Sequence, residues 1–274
     1  MLTSDDAPLR VRAPMWLAED ATRFAEAGRP PAVPRRAATV VLMRDAPDGF
    51  EVYTQRRAST MAFAPNMYAF PGGSVDPRDA DQGVGWVGPE PGEWAARLGV
   101  SEPDARAVVC AAVREVFEEC GVLLAGPDES TVVGDVTGDS WEAARRALLA
   151  REVALVELLN SLGLVVRSDL LAPWARWVTP EFEPRRFDTF FFVAVLPAAQ
   201  ATRDVGGEAD HTVWVRPADA ESLPMLPPTW HTLHTLAGYG SMADALAEGA
   251  TRSVVVPVRP TIEVDDEGAW LKLT

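Results

Sequence analysis

Three glutamates, Glu115, Glu118 and Glu119, stand at i, i+3 and i+4 in the run Arg114-Glu115-Val116-Phe117-Glu118-Glu119-Cys120-Gly121-Val122. At 3.6 residues per turn they fall within roughly 100° of one face of a helix and converge on one point. Like charges held together cost stability unless a cation neutralises them. A hard divalent ion takes oxygen ligands, and Mg²⁺ is usually held by a few carboxylates plus the phosphate oxygens of a substrate. On the opposite side of the same helix Val109, Cys110, Val113, Phe117 and Cys120 form an apolar stripe suited to a core. Ser101-Glu102-Pro103-Asp104 has the form of a capping box with proline in the first turn, and Gly121 supplies a stop. A bare E-x-x-E-E is more often the solvated face of a surface helix. Arg114, Gly121 and an upstream Phe70-Pro71-Gly72-Gly73 weigh against that alternative.

These residues carry a family resemblance. The run from Arg114 to Val122 resembles the core of the Nudix box, G-x5-E-x7-R-E-U-x-E-E-x-G-U with U aliphatic, and Phe70-Pro71-Gly72-Gly73 resembles its opening. Gly73 and Arg114 lie 41 positions apart, where the pattern has 14, so the box is interrupted by 27 residues. Counting back from Arg114 sets Arg106 at the place of the first box glutamate; Glu102, Asp104 or a residue of the insert is expected to substitute. The resemblance implies a Nudix α/β/α sandwich, an α/β fold with a mixed β-sheet and helical insertions. It also implies that Glu118 and Glu119 are the main ligands of Mg²⁺ or Mn²⁺. Glu115 would be a ligand or the base that takes a proton from water, the Gly73 carbonyl a further ligand, and Arg114 an orienting partner of Glu115.

Beyond the box, Gln55-Arg56, Gly73-Ser74-Val75-Asp76-Pro77, Trp177-Val178-Thr179-Pro180 and Arg185 through Phe187-Asp188-Thr189 to Phe192 resemble the coenzyme A diphosphatase branch. Members of that branch cleave the diphosphate of CoA or acyl-CoA to 3′,5′-ADP and (acyl-)phosphopantetheine by attack of water. Arg56, Arg185 and Arg186 are the candidates for its phosphates. Glu208 and Asp210, in the loop after the box, are candidate extra acidic ligands. Hydrolysis of ADP-ribose, NADH or a dinucleoside polyphosphate, and a non-catalytic nucleotide-sensing domain, are the alternative readings.

The net charge of −15 argues against nucleic acid or an anionic membrane as partner, since both select basic surfaces. The substrate is expected to be a small nucleoside diphosphate derivative; a homodimer is left open. Cys110 and Cys120, roughly 15 Å apart along one helix, are too distant for a disulfide and suit a reducing compartment. With no signal-peptide pattern and no long apolar run, a cytoplasmic enzyme is the expectation. His211, His231 and His234 have no metal-ligand spacing.

In chain order, residues 1–36 read as an irregular arm with one helix over 14–27, and 37–274 as the Nudix domain. Strands are expected at 37–43 and 50–55. The insert over about 76–100 reads as a loop with a helix at 91–98, serving as lid, specificity wall or padding. A helical insertion spans about 138–165. Strands follow at 190–195 and 212–215, a helix opens at 217, residues 228–248 read as helical, and closing strands fall at 252–258, 261–264 and 269–273.

Overall fold

A computed structural model describes residues 10–61, 64–203 and 209–273. The chain begins with β1 (Arg10–Ala13) and α1 (Met15–Ala27), then β2 (Arg35–Ala46), β3 (Gly49–Arg57), β4 (Tyr68–Ala69) and β5 (Gly72–Ser74). A 3₁₀ turn at Pro77–Ala80 leads to β6 (Trp86–Val87), α2 (Pro91–Leu98) and the long α3 (Glu102–Cys120). There follow β7 (Ala125–Gly126), α4 (Asp139–Leu149), α5 (Leu155–Ser161), β8 (Val165–Arg167), β9 (Ala172–Val178), β10 (Phe187–Val195) and β11 (Ala209–Val215). The last elements are α6 (Pro227–Leu236), α7 (Met242–Thr251), β12 (Thr261–Asp265) and β13 (Gly268–Lys272).

The central sheet runs β11-β3-β2-β10-β9, with β4 added to β3 and β5 to β2. It is mixed: β10 lies parallel to β2, whereas β2 pairs antiparallel with β3. Strands covered on both faces are nearly all apolar, and β2 shows this in its alternation. Ala38, Val40 and Leu42 face a core shared with Phe117 of α3, while Val41 and Met43 face a second core shared with Leu233 and Leu236 of α6. This is the expected sandwich, a sheet between helical layers.

Several expectations are modified. The N-terminal segment is no free arm from residue 10 onward: β1 pairs antiparallel with β13, which pairs with β12. The stretch 228–248 breaks into α6 and α7 around Gly238 and Gly240, and 217–222 forms only a 3₁₀ turn. No strand forms at 252–258, where Pro257 lacks a donor and Val258 alone bridges to Trp177. The insert is a packed wall. Trp94 and Leu98 of α2 are fully buried against the α3 core, and β6 pairs with β8 beyond the helical insertion. No described helix is long and apolar enough to cross a membrane.

Candidate active site

The site lies where β2 and β3 splay apart. Toward the turn they pair with each other through Met43 and Val52, but farther along β2 pairs with β5 through Ala38 and Gly73, and β3 with β4 through Gln55 and Ala69. The last two turns of α3 point their acidic face at this opening. Ser101 starts the helix by accepting from the Asp104 N–H at 3.4 Å; the return bond comes from the Ser101 hydroxyl to the Asp104 carboxylate at 2.6 Å. Gly121, at φ +70°, ends it.

Glu115 and Glu118 are each 7% exposed. Burial is the main reason that both carboxyls titrate above the ordinary range, with Arg114 opposing; Glu115 is pushed up to about 7, Glu118 adding to the rise. Arg114 is the charge that makes the cluster tolerable. Its Nη1 donates to Glu115 Oε1 at 2.7 Å and to Glu118 Oε2 at 3.2 Å, its Nη2 to the Ser74 carbonyl at 2.9 Å and to Asp79 Oδ2 at 3.0 Å, and its Nε to Asp79 Oδ1 at 3.1 Å. Burial works against the guanidinium, but the bond to Asp79 and the surrounding carboxylates outweigh it and raise its pKa.

Glu119 is held differently. Its Oε2 accepts from the Gly72 N–H at 2.9 Å and from the Gln55 side-chain amide. Gly73 is forced by Glu115: a Cβ there would lie 2.6 Å from both carboxylate oxygens. The Gly72-Gly73 pair is thus a backbone cradle pressed against the acidic helix, as its place ahead of that helix suggested.

Asp79, a residue of the insert, stands where a substitute for the carboxylate missing at Arg106 was expected. Counted forward from Gly73, the spacing G-x5 ends on Asp79, so the interruption falls between the first acidic position and Arg114. The residue is 5% exposed, and its carboxylate is bound to Arg114. Arg106 instead stacks its guanidinium 4.9 Å above the Trp86 ring. Asp104 does not take the role, since it caps α3 and pairs with Arg36 at 3.0 Å. The forward spacing was the available signal.

A second residue absent from the sequence reading is Arg145 of α4. It is 2% exposed and donates to the Glu118 carbonyl at 2.8 Å, fixing the end of α3. Nothing in the local sequence marks it, because its partner is a main-chain atom distant in the chain.

The predicted phosphate arginines are not brought together. Arg56, beside Gln55 on β3, pairs with Asp210 at 2.7 Å. Arg186 is 7% exposed and donates to the carbonyls of Thr179 and Ala32, at 3.0 and 2.8 Å. Its Nε and Nη1 are thus held by the chain itself. Arg185 is exposed in the β9–β10 connection. Asp210 is occupied by Arg56, and Glu208 lies outside the described residues. His231 packs on Trp177 and His234 stacks on Trp230, neither in a ligand set.

Among the described residues no three His, Cys, Asp or Glu side chains enclose an ion by themselves. The carboxylates of Glu115, Glu118 and Glu119 nevertheless offer only oxygens, and Gly73 lies directly against Glu115. That set suits a hard cation whose remaining ligands come from water and substrate.

A family model described as the NUDT19 Nudix domain matches residues 92–231, just over half of the chain. A crystal structure of a Nudix hydrolase from Alicyclobacillus acidocaldarius is 31% identical, covers 81% of this chain and 98% of its own, and superposes with a TM-score of 0.67. The chain belongs to the Nudix hydrolase family. Among its Nudix relatives, the acyl-coenzyme A diphosphatase NUDT19 of Gallus gallus is 27% identical over 77% of this chain and 70% of that protein. The protein of the same name from Xenopus laevis is 24% identical over 71% of this chain. The match spans 62% of the length of the Xenopus protein.

Proposed function

We propose that this Nudix protein is a divalent-metal-dependent pyrophosphohydrolase that cleaves the diphosphate of CoA or acyl-CoA to 3′,5′-ADP and (acyl-)phosphopantetheine. The observation that carries the reading is the meeting of Glu115, Glu118 and Glu119 with the Gly72-Gly73 cradle, through the Gly72 N–H on Glu119 and the missing Cβ of Gly73 beside Glu115. The substrate class is supported by the similarity to proteins named acyl-coenzyme A diphosphatase.

Glu115, Glu118 and Glu119, with the Gly73 carbonyl, would hold Mg²⁺ or Mn²⁺. When bound, such an ion screens the phosphates and lowers the pKa of water. The chain itself supplies orientation. Arg114, braced by Asp79, fixes the carboxylates of Glu115 and Glu118, and Gln55 with the Gly72 N–H fixes Glu119. Glu115, nearest the cradle, is a ligand or takes the proton from the attacking water. Arg56, Arg185 and Arg186 are the proposed phosphate contacts; for Arg56, Asp210 must give way.

Two buried free thiols, Cys110 and Cys120, support a reducing compartment such as the cytoplasm. The acidic balance supports a small-molecule partner over nucleic acid or membrane, and a homodimer is the assembly that sedimentation would test. The decisive assay presents CoA, acetyl-CoA, ADP-ribose and NADH side by side, with Mg²⁺, Mn²⁺ or chelator, and reads products by mass. Metal-dependent release of 3′,5′-ADP from CoA above turnover of the others is expected. Cleavage of ADP-ribose or NADH alone would overturn the CoA assignment while keeping the hydrolase.

A further inference from the structure

The α4–α5 turn carries a side chain that its backbone does not favour. The Arg151 N–H donates to the Leu148 carbonyl at 2.8 Å and the Glu152 N–H to the Ala147 carbonyl at 2.9 Å, the double bond of a Schellman helix end. Arg151 fills its left-handed position at φ +59°. Glycine is the usual occupant there, because an L side chain crowds its own carbonyl. An outlier of this kind prompts the question of what the side chain does.

Its guanidinium is 73% exposed, and Nε stands 3.9 Å from Asp76 Oδ2, beyond hydrogen-bond reach. It makes no hydrogen bond among the described residues. Asp76 in turn donates its N–H to Asp79 Oδ2 at 2.8 Å, the carboxylate that braces Arg114, which sets the Arg151 turn against the loop between the glycine cradle and α3. The neighbouring arginines are already engaged with the chain. Arg114 is consumed by Asp79, Glu115, Glu118 and the Ser74 carbonyl. Arg78 is held by Asp76, at 3.1 and 3.0 Å, and by the Arg151 carbonyl at 3.2 Å. That last bond ties the α4–α5 turn to the loop that follows the glycine cradle.

A substrate with several phosphate charges, laid against an acidic helix of a chain with net charge −15, needs a local cation with free donors. A guanidinium meets phosphate through paired N–H bonds. We propose that Arg151 is a substrate-binding residue whose exposed guanidinium takes a phosphate of the substrate beside the loop that follows the glycine cradle. This rests on the pyrophosphohydrolase reading for the identity of the substrate.

The test is Arg151→Gly, read in three ways: thermal unfolding, kcat/KM with Mg²⁺ for CoA and dephospho-CoA, and calorimetric binding of both in chelator, where nothing is cleaved. The glycine is expected to leave Tm unchanged or raise it, because it suits φ +59°, while CoA binding and kcat/KM fall about tenfold or more, the usual scale for a charged hydrogen-bonded contact. Arg151→Lys should recover part of the loss. A loss confined to CoA assigns the 3′-phosphate; a loss for both assigns the diphosphate. A fall in Tm alongside the loss would mark a structural role and overturn the proposal. So would equal binding by wild type and Arg151→Gly, or binding by neither. Wild-type binding without cleavage would instead defeat the proposed reaction and leave the contact tested.

Discussion

Asp79 and Arg114 form a buried pair across the interruption of the box: Arg114 Nε and Nη2 meet the two carboxylate oxygens at 3.1 and 3.0 Å, with the Asp79 side chain 2% exposed. The bond ties the 3₁₀ turn after the glycine cradle to the acidic helix α3. Replacing one partner of a buried pair leaves the other charge uncompensated. Asp79→Asn is expected to destabilise the protein by roughly 3 kcal/mol, the low end for such pairs because Glu115 and Glu118 still face Arg114. Urea unfolding measures this. An unchanged midpoint would mean that Asp79 does not hold Arg114.

Gly73→Ala separates geometry from stability. The added methyl would meet the Glu115 oxygens at 2.6 Å. A carboxylate at the end of a side chain gives way more easily than backbone, so Tm should fall by only a few degrees. Misplacement of a catalytic group by about 1 Å can cost on the order of 10²-fold in rate. Loss of turnover on that scale in a folded variant is the expected result, and wild-type kinetics would show that Glu115 is not held against the cradle for catalysis.

The outer brace of α3 is testable by pH. Glu142 bonds Arg145 at 2.7 and 3.0 Å and Arg146 at 2.9 Å, and the hydrogen bond from Arg145, with the charge beside it, holds its carboxyl at about 2. A depressed folded pKa contributes stability above the unfolded value, about 4.3, and that contribution is lost as pH falls from there through about 2. Wild type should therefore unfold at higher urea than Glu142→Gln at neutral pH, with the gap closing between about pH 4 and pH 2. A gap independent of pH would rule out the ionic brace.

Much of the scaffold was legible because its signals are local. Pro91 and Gly99 bracket α2, whose predicted limits coincide with those observed, and β2 and β3 declare themselves as apolar β-rich runs around a turn. The glutamate triad was legible as well, since helical periodicity alone gathers it on one face. What was hidden depends on contacts between distant parts of the chain. Arg186 looks like any basic residue until Thr179 and Ala32 are seen to hold it. Arg145 reaches a main-chain carbonyl, which no sequence pattern records. Asp79 lies in the insert expected to hold a substitute carboxylate, but counting back from Arg114 meets Arg106 and does not single it out.

The most direct test of the carboxylate face is Glu118→Gln. Burial disfavours the charged form of Glu118, so the neutral amide should keep the protein folded, with circular dichroism and Tm close to wild type. The measurement is release of 3′,5′-ADP from CoA with Mg²⁺ or Mn²⁺, followed by mass for both proteins at equal concentration. Turnover by wild type and none by the folded variant is the outcome predicted; undiminished turnover by Glu118→Gln would contradict the assignment of this face as the hydrolytic site.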